Sequence, residues 1–399
     1  MKAVKTIAAL IFMSALAIVL VQPVLGAGDD PKERTRGRAE TSDDPGDTPP
    51  DAGGEDGEEV ALVSRYPKRC MRKTRDAPTG LVAARRGSIA DVGFPDARPL
   101  ARIDVSGDVA WSPSGTFLAE RGGRVFDQSG NPQGALFFEP REWQWSPVAD
   151  CALATTERGG LTFSIPDTKR KGIRLLNAPV RDFELSPNGR LLAAVVEGRG
   201  LYVADLERGK LTQATEGRAS LEGWYSNRSV LFSKSEGQGK LRYATKRGKT
   251  RVVRNAFAGG TIVHCGGRVL LVSLATKFNP PLTELKSRRG RITEALLETG
   301  PEYHGYSSAS CSPDGRFIAA SAVVRDEKGP LALLAPDGTV VRELDTGRTA
   351  NPQWSEDGLI YVKFGKAGRG RLWLISQGSQ PVPTAYKVGA PTQYDWHVR

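Results

Sequence analysis

Ser-Pro-Asp-Gly, or a degenerate copy of it, returns about every forty residues along this chain. The copies are WSPSGTFLAE from Trp111, WSPVADCALA from Trp145, LSPNGRLLAA from Leu185, CSPDGRFIAA from Cys311 and WSEDGLIYVK from Trp354. Weaker ones are WYSNRSVLFS from Trp224 and CGGRVLLVSL from Cys265, and Tyr394-Asp395-Trp396 is a last fragment. Counted from the residue before each turn, the steps are 34, 40, 39, 41, 46, 43 and 42. A fixed period of this length marks a repeat architecture, in which each unit buries its apolar face against its neighbours.

The phrase is a turn by construction. Pro presets φ at the first central position, Asp or Asn tolerates the next, and Gly supplies positive φ at the exit. The segments that follow, such as Leu191 to Val196 and Phe317 to Val324, are short, apolar and partly β-branched, as buried strands require. In the Leu185 copy, Leu201 to Asp205 reads as a third strand and Lys210 to Thr212 as an edge strand. The Trp354 copy repeats this with Arg371 to Ile375 and Gln380 to Pro383.

Four short antiparallel strands per repeat, arranged round a ring, predict an all-β propeller of four-stranded blades, an arrangement that leaves only short, protected edges. The tail ends on an inner-strand fragment, Pro391 to Val398, while residues 80–103 offer three strands without an inner partner; pairing of these N- and C-terminal strands would close the ring. Seven marked copies and this composite give eight blades over 79–399. Seven is the alternative, because the Cys265 copy lacks its Ser-Pro pair and could be an insertion.

The W-S-P-D-G-R-x-I/L-A phrase and its spacing resemble the propeller of TolB-like proteins, within the wider group of WD-like propellers, over about three quarters of the chain. The resemblance implies a docking surface for protein partners. TolB also has an α/β domain ahead of its propeller that has no counterpart here, and no partner-binding residue can be matched.

Three segments are expected: a signal peptide over 1–27, an acidic linker over 28–60 and the propeller over 61–399. Lys2 and Lys5, an apolar run from Ile7 to Val21 and small residues at Gly26 and Ala27 have the layout of a signal peptide, with an uncleaved anchor as the alternative. No Cys follows the small residues, which excludes a bacterial lipoprotein anchor. Residues 28–60 hold 12 acidic and 4 basic side chains and almost no large apolar residue, a composition that predicts disorder.

Of the net charge of +11, the two signal lysines contribute +2 and the acidic tract −8, which leaves +17 on residues 61–399. Such an excess attracts polyanions. Lys169-Arg170-Lys171, Arg208 with Lys210, Lys246-Arg247 with Lys249, and Arg288-Arg289 with Arg291 all fall in connections between third and fourth strands, which share one face of a propeller. They predict a basic crescent over four neighbouring blades, although hairpin loops also carry solvated charge for no other reason. No aromatic residues interleave them, as single-stranded nucleic acid would want, and no dedicated nucleic-acid motif occurs.

Four Cys in an exported chain read as two disulfides, with three possible pairings. Cys265 with Cys311, on neighbouring inner strands, is preferred; Cys70 with Cys151 would then staple the N-terminal segment to the ring. Zinc is the weaker reading, since no C-x2-C spacing occurs. His264, His304 and His397 all fall near inner strands, where a channel could collect ligands, but neutral His also fits polar strand networks. G-x-S-x-G, H-E-x-x-H, the phosphate-cradling loop and the dinucleotide fingerprint are all missing. The tryptophans at 111, 145, 224 and 354 are expected in blade-to-blade packing.

The reading is therefore an exported, monomeric, non-catalytic docking module without a cofactor. Its partner is an envelope protein or an anionic cell-wall polymer, and it meets the membrane only through an uncleaved signal segment. An extracellular enzyme or small-ligand receptor using the central channel is the alternative.

Overall fold

The computed structural model describes residues 59–396, apart from 75–79, 138–139, 157–158, 167, 169–171, 235–238, 275–280, 289–290, 298–302, 325–326, 357, 366–368, 377–378 and 391–392. The chain divides into two units, Met1–Gly57 and Glu58–Arg399. The expected signal peptide and all but the last two residues of the expected linker lie outside the described residues.

Each Ser-Pro-x-Gly turn is closed from within. In the copies at Ser112, Ser186 and Ser312 the Gly N–H donates to the Ser carbonyl at 2.8, 2.7 and 2.9 Å. The buried Ser hydroxyl then accepts the N–H of Phe117, Leu191 or Phe317, at 3.2, 2.9 and 2.9 Å. The exit residues Gly115, Gly189 and Gly315 have φ of 69°, 66° and 71°, which a Cβ would disfavour. Hairpin formation at these points is thus written into four residues.

Among the described residues the strands assemble into six hydrogen-bonded sheets. The closing sheet orders Ala101–Asp104, Ile89–Gly93, Val82–Arg86 and Tyr394–Trp396, with Val82 opposite Trp396 and Ala84 opposite Tyr394. A second four-stranded sheet runs from Val109–Trp111 to Pro132–Ala135, and two more run from Tyr306–Cys311 to Val340–Asp345 and from Arg348–Trp354 to Val382–Val388.

The two larger sheets are joined units. In the seven-stranded sheet the 13-residue strand Ile173–Leu185 is the outer strand of one unit, paired with Gly160–Ser164, and continues as the inner strand of the next, paired with Leu191–Val196. In the eight-stranded sheet two units meet edge to edge, where Thr250–Phe257 runs parallel to Arg291–Leu296 with Arg254 opposite Thr293. The weak copy at Cys265 supplies the strand Thr261–Cys265, paired with Arg268–Val272.

Apolar side chains pack between successive sheets. Ala83 and Val92 of the closing sheet meet Val109 and Trp111 of the second, and Val82, Tyr394 and Trp396 meet Ile360, Leu372 and Tyr386 of the last. The chain is therefore an all-β propeller whose last sheet packs on the sheet begun near its head.

Hydrogen bonds repeat this stitching at the axis. The Trp145 and Trp354 indoles donate to Ala110 O and Ser310 O of the preceding unit, at 3.1 and 3.0 Å. His264 Nε2 meets Trp224 O at 2.8 Å in a similar place. Cys265 and Cys311 are bonded to each other, as are Cys70 and Cys151.

Two features differ from the sequence expectation. The last edge strand spans Val382–Val388 rather than residues 380–383, since an edge position tolerates Pro383, whose missing N–H has no ladder to serve. Residues 59–63 add to the outer edge of Ile173–Leu185: Val63 N–H donates to Leu175 O at 3.0 Å and Ala61 N–H to Asn177 Oδ1 at 2.8 Å. That contact covers an edge that would otherwise be open. Among the described residues no helix is long and apolar enough to cross a membrane.

Candidate anion-binding face and an acidic channel wall

Of the crescent residues, Lys169, Arg170, Lys171 and Arg289 lie outside the described residues. Arg208, Lys210, Arg247, Lys249, Arg288 and Arg291 are exposed and Lys246 is half-buried. The structure brings their connections together. The Gly248 turn rests on the neighbouring unit so closely that a Cβ there would lie 2.8 Å from Thr212 Cγ2 and 3.0 Å from Gln213 O. On the other side, Tyr225 hydrogen-bonds Ser287 of the next unit.

Two of the cations are compensated. Asp205 takes Lys246 Nζ at 3.6 Å and Arg208 Nε at 4.0 Å, so these two are tied to the fold. Lys210, Arg247, Lys249, Arg288 and Arg291 make no ion pair among the described residues. Arg251 and Arg254, exposed on the strand Thr250–Phe257, extend the same uncompensated charge. A search confined to loops misses them; of residues 251–254 only Val253 is buried, and both guanidiniums stay outside.

Nearer the axis the same three units carry the opposite sign. Asp182, Glu184, Glu222 and His264 line a cavity of about 550 Å³ that also touches Pro147 and Pro187 of two turns. Glu222 accepts Gly259 N–H at 3.0 Å and the Ser233 hydroxyl at 3.1 Å, and Asp182 accepts Leu221 N–H at 3.4 Å. Glu184 has no hydrogen-bond partner among the described residues.

Burial, with Asp182 beside it, pushes the Glu184 carboxyl up to about 7. Burial also raises Asp182, with Glu142 adding to the effect, and raises Glu222 against the pull of its two donors. Asp182 and Glu184, two apart on one strand, share a face by spacing alone, whereas Glu222 comes from the next repeat and spacing could not place it beside them. His304 is exposed and His397 lies outside the described residues. No group of three or more His, Cys, Asp or Glu among the described residues is placed to hold a metal ion.

No protein-family model matches the chain, and no curated protein does. Solved structures do. NirN, a dihydro-heme d1 dehydrogenase in complex with DHE, is 12% identical over 84% of this chain and 80% of its own, with a TM-score of 0.55. The β-propeller domain of Cps50 (Swd1) from Myceliophteria thermophila is 16% identical over 68% of this chain and 98% of its own, with a TM-score of 0.45. TolB from Acinetobacter baumannii is 14% identical over 81% of this chain and 67% of its own, with a TM-score of 0.39. At such identities the likeness is one of fold alone: this chain is similar to β-propeller proteins.

Proposed function

We propose that this protein is an exported, non-catalytic propeller, eight blades round, that docks an anionic partner of the cell envelope, either an acidic protein surface or a wall polymer. The observation that carries the reading is the run of exposed, uncompensated cations across contiguous turns and edges of three neighbouring units. Cation density of this kind raises the local concentration of a polyanion and is screened by salt. Export is supported by the two disulfides and by the signal-like residues 1–27.

The purified protein would be titrated with anionic wall polymers and with an acidic envelope fraction, at low and at high salt. Binding should weaken as salt rises. Salt-independent binding, or none at low salt, removes the basic face from the function.

A second reading is favoured by the channel wall. The cavity lined by Asp182, Glu184 and Glu222 suits a small cationic ligand, and such binding would strengthen as pH rises and Glu184 ionises.

A further inference from the structure

The seam at which the edge strands Thr250–Phe257 and Arg291–Leu296 run side by side has an electrostatic fault in it. Arg288 and Arg291 are directly opposite each other on the strands Leu282–Arg288 and Arg291–Leu296, so their side chains leave the same face of the sheet. Like charges so placed repel. On that face Thr293 follows Arg291 by two positions, and Thr293 is in register with Arg254 across the parallel pair.

Thr293 thus has Arg254 across the parallel pair and Lys286 across the antiparallel one, with the facing Arg291 and Arg288 one pair further along; the three arginines are exposed, and none has an acidic partner among the described residues. The neighbouring Lys286 has one, Glu284 Oε2 at 3.2 Å, and Arg268 lies 3.7 Å from the same oxygen. The buried Glu284 carboxylate is therefore spent on other cations.

We propose that Arg254, Arg288 and Arg291 form a binding centre for the phosphate groups of a linear phosphate polymer. The inference rests on the anionic-partner reading above and narrows it to one place and one chemical class. A guanidinium presents a planar fork of N–H donors that pairs bidentately with an oxyanion. Two such forks facing across a hairpin need more acceptor oxygens than one carboxylate offers, and adjacent units of a phosphate chain, each with two unbridged oxygens and joined through a single shared oxygen, supply them side by side. A polymer then continues along the contiguous turns toward Arg247, Lys249 and Lys210.

The test uses the full chain and three variants. Arg288→Gln with Arg291→Gln removes the facing pair; Arg288→Glu replaces the repulsion with a cross-strand ion pair and so keeps the sheet intact; Lys210→Gln reports what the far end of the run contributes. Binding to inorganic polyphosphate and to polyglutamate would be followed by calorimetry at low salt.

The wild type should prefer polyphosphate. The double variant and Arg288→Glu should lose about tenfold or more in affinity, in line with the loss of charge-assisted contacts, and Lys210→Gln less than threefold. Arg288→Glu should also melt no lower than the wild type.

Tight polyphosphate binding that survives both arginine variants overturns the seam as the centre while leaving the anionic-partner reading standing. Equal affinity for polyglutamate overturns the phosphate assignment in the same way. Binding to neither polymer overturns both the inference and the reading beneath it.

Discussion

Replacing Glu184 by Gln should change how stability depends on pH. In the folded protein burial and Asp182 hold this carboxyl at about 7, whereas its ordinary value is 4.5. Between those two values the native state keeps a proton that the unfolded chain has released. Stability is therefore fully present below pH 4.5, falls as pH rises through the window, and has lost the whole contribution above 7.

At 1.36 kcal/mol for each tenfold change in proton affinity, the loss would amount to roughly 3 kcal/mol; solvent reaching the half-buried group trims it to about 1–2 kcal/mol. Gln cannot ionise. The variant should match the wild type near pH 4.5 and exceed it by about 1–2 kcal/mol at pH 8. Urea unfolding followed by tryptophan fluorescence across that range gives the difference directly, and taking it between the two proteins cancels the titration of every other group. Parallel pH profiles for the two proteins would refute the argument, since they would mean that Glu184 titrates like a solvated carboxylate.

Two further outcomes are expected. Changing Cys265 and Cys311 together to Ser should cost about 4 kcal/mol in denaturant unfolding, from the chain entropy released when the 46-residue separation is no longer closed; a cost near zero would show that the adjoining units hold without it. Trp354→Phe keeps the ring packing but removes the N–H donated to Ser310 O, and should lower stability by about 1 kcal/mol, measured as a shift in urea midpoint; no shift would mean that water replaces the donor.

Strand placement and ring closure were readable from sequence because the turn phrase is local. Ser, Pro and Gly fix the hairpin by their own backbone and hydroxyl chemistry, whatever lies elsewhere. The composite sheet followed from three strands without an inner partner at the head of the repeat series and an inner-strand fragment at its tail. What sequence could not give was the fate of the outer edges. Asn177-Ala178-Pro179 looks like a break, yet the strand Ile173–Leu185 runs through it, with residues 59–63 and Gly160 pairing on its two sides.

The site was half legible for the same reason. Charged turns can be counted from residues 208–210, 246–249 and 288–291, but Asp205 neutralises Lys246 from another repeat, and that pairing is set by the docking of one turn on the next strand. Glu222 joins the carboxylates at 182 and 184 only through the ring. Compensation and convergence are properties of tertiary geometry, not of period.

The hydrogen bond from the Trp396 indole to Gly80 O spans 316 residues of sequence. Until the last strand arrives, Val82–Arg86 presents a bare inner border while every other unit can already be complete. Folding that must wait for so distant a partner is slow, and a chain crossing a membrane N-terminus first would show that border to its surroundings throughout passage. Assistance from a holding factor during export would therefore be concentrated on the opening hairpin rather than spread over the repeats.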